Sequence, residues 1–174
     1  MRPPGGGGPG GPPEGPDGRR AGGPPRPGDA ERRDSPPAGY SYFEVAADVG
    51  VRAWGPSLEE CFRQCALGVF NLIVPLEAVA PAESRESSAH GDTAEALLVN
   101  WINELLFLHD VEGFAVADVQ VPRREEARLH ADLRGEPVDP SRHPRGILVK
   151  AATFHQLAID QEADQVTARL VLDV

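Results

Sequence analysis

The stretch Val49-Gly50-Val51-Arg52-Ala53-Trp54-Gly55-Pro56-Ser57-Leu58-Glu59-Glu60-Cys61-Phe62 changes character halfway along. Its first six residues read as a strand, and Gly55-Pro56 then breaks the chain. Ser57 follows with Glu60 three residues on, the pattern of a capping box that opens a helix. Leu58, Cys61, Phe62, Cys65, Ala66, Val69, Phe70 and Ile73 then keep a helical period until Pro75 stops it. Upstream, Tyr40-Ser41-Tyr42-Phe43-Glu44 reads as a second strand, joined to the first through Val45-Ala46-Ala47-Asp48.

Working toward the C-terminus, residues 81–91 are polar and read as a loop or an edge strand. Asp92 with Glu95 repeats the capping signal and starts another helix. Leu97, Leu98, Trp101, Ile102, Leu105, Leu106 and Leu108 make that helix apolar over more than half its circumference, so it is expected to be the most buried element. Strands are expected over 114–121, 127–133, 147–159 and 165–174. The first two are separated by Pro122-Arg123-Arg124-Glu125, and the last two by the acidic turn 160–164. The last strand alternates cleanly: Val166, Ala168, Leu170, Leu172 and Val174 fall on one face, Thr167, Arg169, Val171 and Asp173 on the other. Strand, strand, helix, helix and further strands make an α+β fold, two main helices packed on a mostly antiparallel sheet.

Composition sets the boundary of this domain. Of residues 1–39, 23 are Gly or Pro, and large apolar side chains are almost absent. Such a leader cannot bury enough surface to offset the entropy of ordering its backbone and is expected to be disordered. It lacks the apolar segment of a secretion signal, and no run of 18 apolar residues occurs anywhere in the chain. Its six arginines and five acids leave +1, so residues 40–174 carry a net charge of −11 within the chain total of −10. A domain that acidic repels phosphate backbones and favours cations or a basic protein partner over nucleic acid. Cys61 and Cys65, four apart on the first helix, share one face where small apolar residues pack. That geometry suits neither a disulfide nor a zinc site and implies a reduced, cytoplasmic protein.

Few residues can carry chemistry. Lys150 is the one lysine, against sixteen arginines. On its strand it would point with Leu148, Ala152 and Phe154, either as a positioned cation or as an edge-strand guard against aggregation. Asp48 sits in a turn, where an Asp either satisfies backbone or ligates. Asp173-Val174 ends a well-patterned strand, placing an Asp carboxylate beside the last main-chain oxygens; a hard divalent cation or a nearby Arg or Lys would offset that charge. With Asp48 close by, the donors would suit Ca²⁺, Mg²⁺ or Mn²⁺ better than Zn²⁺. The five histidines have no metal-binding spacing. His155 is read as a hydrogen-bonded structural residue, and Arg142-His143, in a proline-rich loop, as a partner contact. No phosphate loop and no nucleophile–base arrangement can be proposed by spacing, so the chain is poorly equipped as an enzyme, and a metal-dependent hydrolase is the least favoured reading.

The ordered residues resemble those of the archease family. Tyr40…Asp48-Val49-Gly50, Ala53-Trp54-Gly55 and Ser57-Leu58-Glu59-Glu60 carry the resemblance, with Trp101-Ile102-Asn103-Glu104-Leu105-Leu106-Phe107. Gly135-Glu136…Arg142-His143…Val149-Lys150-Ala151-Ala152-Thr153-Phe154-His155 and the ending Leu172-Asp173-Val174 complete it. It covers residues 40–174. The resemblance implies a non-catalytic accessory protein of an RtcB-type RNA ligase, active in tRNA splicing or RNA repair, that promotes guanylylation and turnover of the ligase. It also implies a divalent metal, calcium first, at positions falling on Asp48, Asp173 and the Val174 main-chain oxygens, with the family's functional lysine at Lys150. The chain departs from the family pattern where Asp-His-Thr-Ala-Asp is replaced by Glu44-Val45-Ala46-Ala47-Asp48, and where a Tyr is replaced by Phe154. A chaperone-like or generic protein-binding module that has drifted from ligase activation is the alternative.

Overall fold

The computed structural model describes residues 37–120 and 122–174. The expected disorder of the leader lies outside the described residues. β1 (Gly39–Val45) and β2 (Asp48–Gly55) form a hairpin whose register closes at Val45↔Asp48, leaving Ala46-Ala47 as the turn. Ala46 takes φ 49, a left-handed conformation that costs an L-residue roughly 1–2 kcal/mol.

The break at Gly55-Pro56 delivers the chain to α1 (Leu58–Ile73). The Ser57 Oγ accepts from the Glu60 N–H at 3.1 Å, as the capping signal predicts. The Glu60 carboxylate turns instead to Arg63 Nη1 at 3.1 Å and Gln64 Nε2 at 2.7 Å. A 3₁₀ turn at Leu76–Ala78 follows Pro75.

Residues 81–91 settle as a strand, β3 (Glu83–His90), at the edge of a sheet, where a polar sequence can face water on one side. Its inward Ser87 is buried, accepting from Trp101 Nε1 at 3.1 Å and donating to the Ala131 carbonyl at 3.2 Å. α2 (Ala94–Glu112) is capped one residue later than its sequence signal: the Thr93 Oγ1, not Asp92, accepts from the Ala96 N–H at 3.1 Å. Gly113 ends the helix at φ 60, the left-handed C-cap for which glycine is favoured.

The expectation that α2 is the most buried element is overturned. Ten of the sixteen residues of α1 are buried, against seven of nineteen in α2, whose Phe107 and Val111 face solvent. Small residues explain the difference. Cys61, Cys65, Ala66 and Gly68 let α1 approach its sheet so closely that a Cβ on Gly68 would lie 2.8 Å from Val51.

β4 (Phe114–Val119) ends before the 121 expected, and the segment read as a connector contains a short strand, β5 (Arg123–Glu125). It forms a hairpin with β6 (Arg128–Pro137), turning at Glu126 with φ 53. β7 begins at Ala151, not 147, and runs to Gln161. Residues 146 and 147 donate instead to the carbonyls of Ile73 and Leu72 at the end of α1. β8 (Val166–Asp173) keeps the alternation expected of it, with Val171 buried as well.

Every strand pair is antiparallel, and the strands divide into two sheets instead of one: β1-β2-β8-β7, and β3-β6-β4 with β5 also on β6. α1 packs on β1, β2 and β8 and reaches β4. α2 bridges β7 of the first sheet and β3, β4 and β6 of the second. One apolar core, centred on Phe62, Phe70, Trp101, Leu133, Leu170 and Leu172, unites both layers. The α+β class therefore stands.

Candidate functional site

Register does the work of assembling the site. β2 pairs with β8 at Val49↔Leu172, so the next step places Asp48 level with Asp173. On the other side of β8, Ala151 pairs with Asp173. The Lys150 N–H donates to the Asp173 carbonyl at 2.8 Å, and Lys150 Nζ donates to the Val174 carbonyl at 3.1 Å. Nζ also stands 4.0 Å from Asp173 Oδ1. Four residues singled out from the sequence, Asp48, Lys150, Asp173 and Val174, thus meet at one end of the first sheet. Strand alternation turns Asp173 outward while Val174 packs against the core.

The surroundings of Lys150 differ from the apolar company expected. Its side chain is 58% exposed and that of Asp173 53%, so their ion pair contributes under about 1 kcal/mol. Leu148 and Phe154 are 70% and 60% exposed and do not enclose it; Ala152 points into the core. Leu148 and Lys150 precede β7, so no strand pairing sets their alternation, and beyond Thr153 it fails because β7 bulges. Thr153 pairs with Val171 and Ala158 with Arg169, so residues 154–157 stand opposite Leu170 alone, with Gln156 at φ 52. His155 lies in this bulge, exposed, its ring 3.2 Å from Gln156 Nε2, and takes no place in the core.

The start of β7 is held by a residue that was not singled out from the sequence. Asn103 of α2 donates from Nδ2 to the Ala152 carbonyl at 3.1 Å and accepts at Oδ1 from the Ala152 N–H at 2.8 Å. A side-chain amide thereby pairs with an outer strand as another strand would. An isolated amide on an apolar helix face was the available signal.

Arg142 and His143 belong to a different construction. His143 is buried; the Asp139 N–H donates to its Nδ1 at 2.9 Å, which leaves the proton on Nε2, 3.0 Å from Glu136 Oε1. Glu136 also accepts from the Ala80 N–H at 2.8 Å and from Arg142 Nη2 at 2.7 Å. Asp139 accepts from the Ser141 hydroxyl and N–H at 2.6 and 2.9 Å and from Arg142 Nε at 3.2 Å. These bonds hold the Glu136 carboxyl at about 2, with Arg142 the largest cause and then Ala80 and His143. Asp139 is likewise held at about 2, by Ser141 first and Arg142 after it. The network clasps the loop after β6 onto the segment after α1. Among the described residues it makes no bond to Lys150, Asp48 or Asp173.

Cys61 and Cys65 are free thiols on the buried face of α1, as their spacing predicts. A hydrogen bond with Cys61, followed by burial, pushes the Cys65 thiol well up, so it is no nucleophile. Among the described residues, no three His, Cys, Asp or Glu side chains lie close enough together to hold a metal ion. A cation at the sheet end would rest on two carboxylates and main-chain oxygen, a hard donor set that suits Ca²⁺, Mg²⁺ or Mn²⁺. Among the described residues no helix is long and apolar enough to cross a membrane.

Comparison with known proteins gives one answer. Residues 40–174 match the model of the archease protein family. The chain is 37% identical over 139 residues to a protein archease of Pyrococcus abyssi, an alignment covering 78% of this chain and 98% of that one. It is 34% identical over 140 residues to an archease-like protein of Drosophila melanogaster, covering 78% and 90%. The solution structure of a Methanobacterium thermoautotrophicum protein superposes with a TM-score of 0.66 at 32% identity, covering 78% of this chain and 99% of that one. The crystal structure of a Thermotoga maritima archease, described as a possible chaperone, superposes with a TM-score of 0.54 at 21% identity, covering 76% and 94%.

Proposed function

The chain belongs to the archease family, and from that membership we propose that it is a non-catalytic accessory protein of an RtcB-type RNA ligase, acting in tRNA splicing or RNA repair. It promotes guanylylation of the ligase and its repeated turnover. One observation carries the reading: strand register gathers Asp48 with Lys150, Asp173 and the Val174 carbonyl, which lie more than a hundred residues after it in sequence, at one exposed sheet end. The described residues contribute no nucleophile with an adjacent base there, which favours a partner-directed role.

Asp48, Asp173 and the Val174 carbonyl are the residues that would hold a divalent cation, calcium first. Ca²⁺ takes 6–8 oxygens, so water or groups of the ligase would complete the shell, and the ion would supply positive charge at the docking end. Lys150 occupies the Val174 carbonyl at 3.1 Å and competes with a cation for that oxygen. The acidic domain does not bind nucleic acid directly, and its buried free thiols fit the cytoplasm.

The alternative, a chaperone-like binding module, draws on Val45 and Ala46 standing where the family pattern has His and Thr, and on the exposed Leu148 and Phe154 near the site. A guanylylation time course of the ligase, with and without this protein at saturating GTP and divalent ion, separates the two. Acceleration supports activation; an unchanged rate at saturating protein refutes it. Calorimetric titration of Ca²⁺ into the wild type and Asp173→Asn tests the metal site, and equal affinity in both refutes the proposed ligands.

A further inference from the structure

Arg52 of β2 and Arg169 of β8 stand directly opposite each other on the outer face of the first sheet. Like charges in that relation destabilise a sheet, since the Cβ atoms are only about 4.5–5.5 Å apart. In a chain of net charge −10, a carboxylate between them would be the ordinary remedy, yet among the described residues neither guanidinium is in an ion pair.

Arg169 is held in place by uncharged groups. Its guanidinium lies over the Phe43 ring, 4.3 Å from the centroid, and Nη2 donates to Gln156 Oε1 at 3.0 Å. Phe43 is itself seated on Gly50, where any Cβ would fall about 2.1 Å from the ring. One of the five N–H donors of Arg169 is thus used, and none of Arg52. Both arginines line a concavity of about 670 Å³, shared with the hydroxyl residues Ser41 and Thr167.

Its two carboxylates are placed aside from the arginines. Asp160 pairs with Thr167, one same-face step along β8 from Arg169. Glu44 has the parity of Tyr42, whose hydroxyl reaches the Gly68 carbonyl on α1. By sheet spacing Asp160 lies diagonal to Arg169 at roughly 7–8 Å, about one Debye length, where the repulsion between exposed charges is screened in part.

We infer that Arg52 and Arg169 form an anion site for a phosphoryl group. Two guanidiniums match the charge of a phosphate dianion, and their forked N–H groups match its oxygens. The site is separate from the Asp48–Asp173 end, lying four residues farther along each strand, roughly 13 Å at about 3.3 Å per residue.

The test is thermal unfolding of the full chain in phosphate, in phenyl phosphate, and in chloride of matched ionic strength. A ligand of the folded state raises the midpoint. The wild type is expected to melt higher in at least one of the two phosphates than in chloride. Inorganic phosphate alone would identify a free-phosphate site, and phenyl phosphate a monoester site. Arg52→Gln, which removes an exposed side chain with no bonded partner, is expected to fold and to weaken the phosphate affinity by about tenfold or more. Arg169→Gln should do the same. Midpoints in both phosphate and phenyl phosphate equal to that in chloride for the wild type, or an Arg52→Gln response equal to that of the wild type, overturns the site.

Discussion

Replacing Asn103 by leucine removes the amide that pairs with both backbone groups of Ala152. β7 is the outer strand of its sheet, and the Ala152 N–H and C=O turn away from β8 toward α2. Ala152 is buried, so water does not readily replace the lost partner. Each hydrogen bond contributes about 0.5–1.5 kcal/mol, and each orphaned buried group adds a desolvation cost of about 1–3 kcal/mol. Partial relaxation brings the loss to about 2–4 kcal/mol, or a fall in melting temperature of roughly 8–16 °C for a domain of this size. Urea denaturation measures the first quantity and calorimetry the second, while hydrogen exchange at the Ala152 amide reports whether the strand opens locally. Asn103→Asp sharpens the test, because it keeps the acceptor for the Ala152 N–H and sets a carboxylate against the Ala152 carbonyl. That carboxyl is favoured protonated in the fold, so this variant should gain stability relative to wild type as pH falls through its titration and lose it as pH rises. A loss below about 0.5 kcal/mol in Asn103→Leu, with unchanged exchange at Ala152, would refute the idea that the amide stands in for a strand.

Three further outcomes are expected. Glu136 and Asp139 are both held at about 2, below their ordinary values of 4.5 and 3.8. Depressed acids stabilise above the unfolded values, so this contribution should be complete above about pH 4.5 and fade as pH falls toward 2; Glu136→Gln should flatten that limb of an acid-unfolding curve. Ser57→Ala removes the acceptor for the Glu60 N–H and should cost about 1 kcal/mol in urea denaturation. Ala46→Gly relieves the left-handed backbone at φ 49 and should raise stability by roughly 0.5–1 kcal/mol, read as a higher melting temperature.

Elements with a strong local signal were legible in the sequence. The period and caps of α1, the β1–β2 pair and the alternation of β8 are each set by neighbouring residues and appear where expected. What stayed open or was missed depends on distant partners. β3 is a strand because β6 lies beside it, and its polar residues carry little strand propensity of their own. The bulge at 154–157 has no glycine or proline to announce it, so a reading by alternation put Phe154 and His155 in settings they do not have, and Lys150 lacks its expected company because β7 begins only after it. Helix burial misled for a related reason: an apolar circumference marks what α2 can bury, whereas close approach through Cys61, Cys65 and Gly68 decides what α1 does bury. At the candidate site, the acidic and lysine residues could be named from charge and resemblance, but their meeting is a matter of register. Arg142 and His143 were read as a partner contact from their proline-rich loop; in the fold the Glu136 carboxylate bonds both, with His143 buried and Arg142 half exposed.

The position of β8 has a consequence for how the chain reaches its fold. The last strand in sequence is an inner strand in space, lying between β2 and β7. Its pairing with β2 spans more than a hundred residues, a high contact order of the kind that slows folding. Until β8 inserts, the β1–β2 hairpin and β7 each expose an unpaired edge, and half of the core under α1 is open. A frameshift or stop codon ahead of Val166 would therefore yield a chain with two sticky edges, prone to self-association, and not a smaller version of the domain.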